Sequence, residues 1–506
     1  MDDSADSSKK LGGPVKPRRP WVSTLKKIAL CSGVAVICFG LYVLWFIHGE
    51  PEPTVDYLAL LNEASRPKDL REEDNAWPLY QQAIELLVQP EGLHSVFAGP
   101  HRRFSELTSA EQTAVTTWVE RNRDAWRRFL AASRKHAYYR PCCPVSSLDD
   151  RVDGLDVPSL NVDMTHLTPL RRLCTLAIWH CRIEVARGRL QNGIDDSLAM
   201  IRAGRHLSST KLLMEMLLSQ AFYSAGHNEI LAIASTDTCD PWQVKELRRQ
   251  LHNAFGADYP TVDLEGERII FRDIVQHTFT KGGIGGGHLI PKYLPPLIRM
   301  HSVVITPREL DTEADRRQMA WCTAISMVHA RRNETLREYL ALADRAEEMA
   351  GMTPYQIRQG DISLGIERPD IFNYEVRFDS FLTQSRNFVV AAQMPAVHWM
   401  SVIVHRMRTQ HDATGTVLAL IAYRHDTGEY PDDLAVLVRG GYLEQLPQDP
   451  FSDSPLVYRE TDGDFTLYSV GQNFTDEGGR TAYRGSEGRP MTWDRKADAV
   501  FWPLAH

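Results

Sequence analysis

Residues 28–47 read IALCSGVAVICFGLYVLWFI, 20 positions without a charge and with only two glycines to weaken a helix. At 1.5 Å per residue such a helix reaches about 30 Å, the thickness of a bilayer's hydrocarbon core. Lys26 and Lys27 stand just before it, and Lys9, Lys10, Lys16, Arg18 and Arg19 lie further upstream, opposed by Asp2, Asp3 and Asp6 alone. That bias predicts residues 1–27 as a basic cytoplasmic tail and everything after the run outside the cytoplasm. Tyr42, Trp45 and Phe46 sit near the far end, where aromatic rings suit the headgroup region. A cleaved signal peptide has the same order of parts. Both parts are long for that, and no small-x-small site follows Ile47, so a retained signal-anchor is the expectation. The chain is then a single-pass protein of the inner (cytoplasmic) membrane, with lipid as a partner through residues 28–47.

Working outward, the chain has 506 residues, 43% apolar and 24% charged, ordinary values for folded material. The net charge of −8 hides an asymmetry. The first 48 residues carry seven bases and three acids, which leaves 50 bases against 62 acids beyond them. A body of that sign has no general electrostatic reason to bind nucleic acid, so none is expected as a partner. Of eight cysteines, Cys31 and Cys38 fall in the anchor, while Cys174 and Cys181 share a helix and read as buried thiols. Cys142 and Cys143, bracketed by Pro141 and Pro144, are free to pair elsewhere in an external compartment.

Helical periodicity dominates from Val55 to Arg408. Residues 168–186, with Leu170, Leu173, Leu176, Ala177, Cys181 and Ile183 on one stripe, form the strongest amphipathic helix, followed across a short turn by 194–207 and then 211–232. A helix from Glu111 to about Ser133 follows the cap Thr108-Ser109-Ala110-Glu111. The turn Ala186-Arg187-Gly188 resembles part of a tetratricopeptide-like repeat, without a clean self-match. Residues 138–164 hold no period and read as a long packed excursion. The apolar run 388–404 holds Gln393, Pro395 and His398, and reads as a buried helix kinked at Pro395. The fold class is mainly α: a transmembrane helix, an irregular all-helical ectodomain of packed hairpins over 55–408, and a small C-terminal α+β hairpin module over 412–506.

That last module begins with a helix closed by Gly428 in a left-handed cap. Strands at Leu456-Val457-Tyr458 and Phe465–Val470 turn at Asp462-Gly463, and the preceding helix covers their apolar face. Tyr423, Gly428, Tyr430, Pro431, Leu434, Leu437, Gly441, Tyr442, Leu443, Leu446, Pro447, Asp449, Pro450, Phe451, Phe465, Leu467, Tyr468, Ser469, Gly471 and Gly478-Gly479 give this part a resemblance to the C-terminal part of the major pseudopilins of type II secretion. The likeness implies a calcium site at the turn after the second strand, from the Leu467 and Val470 carbonyls with Asp476, Glu477, Asp494 and Asp498. This chain departs from that family in its 27-residue basic leader and in lacking the early glutamate of the mature pseudopilin, so assembly into a pseudopilus is not implied. The whole layout, with Asn75-Ala76-Trp77-Pro78-Leu79-Tyr80 and Val500-Phe501-Trp502-Pro503, also resembles membrane-anchored proteins of planctomycete-type bacteria, a likeness that implies no activity.

No catalytic or cofactor-binding residues are singled out. There is no H-E-x-x-H, no G-x-S-x-G and no zinc-type cysteine spacing, and Lys281–Gly287, KGGIGGG, lacks the spacing of a phosphate loop and reads as a mobile loop. His180 and Glu184 stand four apart on one helix and could face each other. Glu265, Glu267, Asp273 and His277 cluster ahead of the glycines, where two acids could divide acid and base roles in a carboxylate-dependent hydrolase near Glu265–Asp273. The expectation is instead an envelope scaffold with protein partners, and a further alternative is an accessory part of a secretion or pilus-like system.

Overall fold

In the computed structural model the chain is described at residues 20–90, 102–145, 155–236, 239–256, 259–301, 312–365, 378–461, 463–484 and 489–504. The basic tail ahead of residue 20, part of the 138–164 excursion, Glu91-Gly92, Asp462 and the start of the helix expected at Pro307 lie outside them. The chain is 63% helical and 7% strand, with an N-terminal apolar helix and small C-terminal hairpins.

Helix α1 (Pro20–Ile47) contains the one span, Thr24–Ile47, long and apolar enough to cross a bilayer among the described residues. Its side chains face away from the rest of the chain, Leu30 and Val36 each being 70% exposed. A continuous apolar surface of that size suits lipid and not water. Burial begins at its end. Phe46 stacks on His288 with ring centroids 4.0 Å apart, and the Phe46 carbonyl lies 3.2 Å from His288 Nε2. Glu50 pairs with Lys292 at 2.8 Å, so the end of α1 is seated on the segment from Thr280 to Lys292.

That segment contains the glycine run. It closes as a turn through Thr280 N–H to His288 O at 2.9 Å and Gly282 N–H to Gly286 O at 3.2 Å. At Gly287 the φ is +130°, and a Cβ would stand 1.8 Å from the Thr280 carbonyl. The glycines let two backbone segments meet there, which side chains would forbid.

The body is built from antiparallel helices. Residues Tyr57–Ser65 form α2 and Trp77–Glu85 α3. The helix expected to run unbroken to Ser133 is two, α4 (Ser109–Arg121) and α5 (Arg123–Ser133). Buried Asn122 interrupts them: its Oδ1 accepts from Val88 N at 2.7 Å and its Nδ2 donates to Trp118 O at 2.9 Å. The Thr108–Glu111 capping box starts α4 as expected. Helices α6 (Leu167–Ala186), α7 (Leu190–Ser208) and α8 (Leu213–Ala234) follow as consecutive hairpins, with the most extensive contact between α7 and α8. A Cβ on Gly226 would stand 2.6 Å from Ile201 Cγ1 and 2.7 Å from the Ser197 carbonyl, so this glycine sets the separation of that pair.

Helices α9 (Pro241–Phe255), α10 (Glu265–Thr278), α11 (Leu294–His301), α12 (Thr312–Val328), α13 (Arg332–Ala350), α14 (Pro354–Gln359) and α15 (Phe378–Arg386) lead to the apolar run. That run splits into buried α16 (Phe388–Gln393) and α17 (Pro395–Thr427), with the break ahead of Pro395. Helix α17 is 33 residues long and unbroken, so positions 408–412, where the body was expected to give way to the C-terminal module, lie inside one helix. It packs on α8, α9 and α13 and also on the sheet. Gly428 ends it with φ +94° and its N–H on Arg424 O at 2.8 Å, the cap read from the sequence.

After the short α18 (Leu434–Arg439), strands β1 (Gln448–Asp449) and β2 (Ser454–Pro455) make a minor pair. Strands β3 (Val457–Thr461), β4 (Asp464–Ser469) and β7 (Ala499–Trp502) form an antiparallel sheet in the order β3-β4-β7, while β5 (Ala482–Arg484) pairs with β6 (Arg489–Met491). The hairpin and its helical cover match the expectation. The third strand is an addition, since four residues carry too little period to announce a strand whose partner lies 35 positions upstream in the Leu467↔Trp502 pairing, offset locally by a bulge.

Candidate functional site

The acids expected to make a hydrolytic pair are not brought together. Asp273 is 1% exposed and fully engaged. Its Oδ2 accepts from Ser159 N at 3.0 Å and Ser159 Oγ at 2.6 Å, while Oδ1 accepts from Gln276 Nε2 at 2.9 Å and meets His277 Nδ1 at 3.0 Å. Burial by itself would raise this carboxyl; the donors from His277, Ser159 and Gln276 outweigh it and hold the pKa below the ordinary value. Gln276 also bonds Thr54 N, Val55 N and Val55 O, so the pair ties the segment after α1 to the irregular excursion. Glu265 faces outward near Arg268 and Arg272 at 4.0 and 3.9 Å. Glu267 is pushed up to about 7 by burial, against one N–H from Leu213. His180 and Glu184 likewise hydrogen-bond to α7 and the residue that precedes it instead of each other. His180 Nδ1 meets Asp196 at 2.5 Å, and Glu184 binds Arg189 and Asn192.

The stretch Asn75–Tyr80 feeds a buried polar cluster. Asn75 clasps Tyr139, donating to its carbonyl at 2.9 Å and accepting its N–H at 2.9 Å. Trp77 lies edge-on to His166 at 5.5 Å, with the Arg140 guanidinium 5.8 Å from its ring. Arg140 Nε and His166 Nε2 both reach Glu215 Oε1, at 3.2 and 2.8 Å. Burial would raise Glu215; His166 and Arg140 together hold it below the usual carboxylate range. Tyr80 Oη donates to His206 Nδ1 at 3.0 Å, and His206 Nε2–H to the Lys135 carbonyl at 2.9 Å. Every charge here has an opposite within contact, and the cluster pins the 138–164 excursion to α3, α6 and α8.

At the turn expected to hold calcium, the acids serve the chain itself. Buried Asp498 accepts amide N–H groups from Glu477, Gly479 and Arg480 at 3.3, 2.8 and 3.1 Å. Asp476 takes Tyr468 Oη at 2.8 Å, Gly478 N at 2.8 Å and Arg459 at 3.2 Å, and Asp494 caps Lys496 N at 2.9 Å. Leu467 and Val470 flank the end of β4. Glu477 Oε2 is the one acid oxygen of this set that is buried without a donor, and burial beside Asp498 raises the Glu477 pKa. Calcium takes six to eight oxygens, and most of the carboxylate oxygens here already accept hydrogen bonds from the chain's own donors.

A groove of about 930 Å³ lies where α17 meets the segments on either side of the β5–β6 pair. Arg406, Arg480, Arg495 and Lys496 line it with a single acid, Asp494, although the body as a whole is acidic. Arg406 lies 5.5 Å from the Trp493 ring and makes no ion pair among the described residues. Burial, reinforced by Arg495 and opposed by Asp494, lowers its pKa to about 10. Three buried polar atoms of lining residues lack a hydrogen-bond partner: Arg406 Nε, Gln472 Oε1 and Trp493 Nε1. Unpartnered polar atoms of this kind are rare in folded proteins. Sequence reading missed this site because Arg406, Gln472 and Trp493 come from three distant segments. Compared with known proteins, the chain matches no family model, no curated protein and no solved structure.

Proposed function

We propose that this chain is a membrane-anchored scaffold of the cell envelope that holds a helical body against the outer surface of the inner membrane and recognises partners there. The observation that carries this reading is the exposed apolar surface of Thr24–Ile47 running into an exit seated on His288. Such a joint fixes the body near the bilayer where a free linker would let it wander. The engagement of Asp273 and Glu215 as structural acids favours binding over hydrolysis. In alkaline extraction of membranes the full chain stays in the pellet, and Val36→Arg with Phe39→Arg releases it. Full recovery of the unchanged chain in the soluble fraction, or a hydrolytic activity abolished by Glu267→Gln, would overturn the reading. The pseudopilin likeness supports a second reading, an accessory of secretion machinery, on the observation that α17 covers β4 and β7. Capture of a secretion platform that is lost on removing β3 to β7 tests it.

A further inference from the structure

The glycine turn, Lys281–Gly287, lies where α1 meets the body. Trp45 and Phe46 both lie against the His288 ring, with centroids 5.5 and 4.0 Å away, and a Cβ on Gly49 would stand 2.6 Å from Thr280 Cγ2. The turn is therefore level with the end of the apolar stretch. It also packs on the start of α13. A Cβ on Gly285 would stand 2.6 Å from Arg331 Cβ, and Arg332 N–H donates to Gly287 O at 3.2 Å. At Gly282 and Gly283 a Cβ would meet nothing within 4 Å, so the turn is open there.

Bases gather at this seat, although the body as a whole is acidic. Lys292 pairs with Glu50, Lys281 lies 3.7 Å from Glu52, and Arg386 pairs with Glu334. Those pairs use up the acids of the seat. Arg331 and Arg332 are partly exposed and pair with no carboxylate among the described residues. Burial lowers the His288 pKa and the Arg331 charge adds to it, so that guanidinium acts on the ring that holds Phe46. If α1 spans a bilayer, its terminal aromatics lie among the headgroups, and so do the charges seated on them.

We propose that Arg331 and Arg332, beside the open glycine turn, bind the phosphate of an anionic phospholipid in the leaflet where α1 meets the body. A guanidinium engages two phosphate oxygens at once, which an ammonium does not. With no side chains at Gly282 and Gly283, the headgroup comes up to the turn unobstructed. The proposal rests on reading α1 as a membrane span. Alkaline extraction tests that span by itself, whereas lipid retention is read in detergent, so either can fail alone.

The full chain in micelles of an uncharged detergent is titrated with phosphatidylglycerol or phosphatidylcholine, and the lipid kept on the protein is counted by native mass spectrometry. The anionic lipid is expected to bind at least about tenfold tighter than the zwitterionic one. Arg331→Gln with Arg332→Gln erases that preference. Arg331→Lys with Arg332→Lys keeps the charge, loses the planar fork and weakens binding severalfold, and it carries the test if the glutamine pair does not fold. Arg337→Gln with Arg345→Gln removes as much charge from exposed positions further along α13 and leaves the preference unchanged. Equal retention of the two lipids by the parent, a preference that survives the glutamine pair, or an equal loss in the Arg337 and Arg345 variant overturns the proposal. Displacement of the lipid by an equal concentration of glycerol phosphate overturns the membrane as the source of the phosphate.

Discussion

Asp273 and Glu265 lie eight positions apart on one helix and do opposite things. Replacing Asp273 with alanine strands Ser159 N and Ser159 Oγ in a buried site, and the loss of such a charged acceptor costs about 3 kcal/mol or more. Glu265→Ala removes only long, exposed contacts and stays within about 0.5 kcal/mol. Urea unfolding of the two variants separates a clamp from a solvated face. A second residue-scale consequence concerns acid. His227 Nδ1–H donates to Tyr223 O at 2.7 Å, and its Nε2 meets His411 Nδ1 at 3.2 Å, with His411 stacked on Phe255 at 3.9 Å. Burial lowers His227 to about 4 and His411 well below its ordinary value, to which His227 and His252 add. Both rings are therefore neutral in the folded chain and take up protons on unfolding. Their contribution is complete above about pH 6.5 and is lost as pH falls toward 4, about 2 kcal/mol per ring at pH 5. Asp412, raised to about 6 by burial, acts in the opposite sense and restores about 1 kcal/mol over the same range. The net expectation is a lower Tm at pH 5 than at pH 7. His411→Leu shrinks that drop, and an unchanged drop would contradict the assignment.

Elements were legible where one stripe of apolar residues decides burial. The helices beginning at Leu167, Leu190 and Leu213 follow from a 3.6-residue period, and two other helix ends follow from caps, Thr108 ahead of α4 and Gly428 after α17. What sequence could not show was set by single side chains reaching across the fold. Asn122 cuts a helix because it grips Val88, 34 positions away. The polar sites were hidden for the same reason, since Arg140, His166 and Glu215 have no spacing in common, and neither do Arg406, Gln472 and Trp493. Glycines at helix contacts were also silent. A Cβ on Gly266 would stand 1.9 Å from the Lys211 carbonyl, and one on Gly226 would strike both Ile201 and Ser197 O. Gly266→Ala must push α10 from the turn before α8, and Gly226→Ala must part α7 from α8. Each costs about 1–3 kcal/mol or more by overpacking, although alanine favours helix. Thermal unfolding in which either variant matched the parent would show that these contacts are looser than described.

At the scale of the whole molecule, an apolar helix, a helical body seated on its exit and a small sheet covered by the last long helix are one continuous arrangement. Helix α17 joins the parts, because the same 33 residues pack on α8 and α9 and on β4 and β7. The apolar helix was legible in the sequence and the joint was not, for nothing in Phe46 or His288 by itself announces a stacked pair. The cysteines turn this geometry into a test of sidedness. Cys143 is exposed, Cys142, Cys174, Cys181, Cys239 and Cys322 are buried, and Cys31 and Cys38 lie exposed on the apolar helix α1. Intact spheroplasts expressing the full chain, kept reduced, are treated with a membrane-impermeant maleimide, and the adducts are mapped. The account predicts one adduct, at Cys143, formed without permeabilisation and absent from Cys143→Ser. Labelling of Cys143 only after the membrane is opened would contradict it.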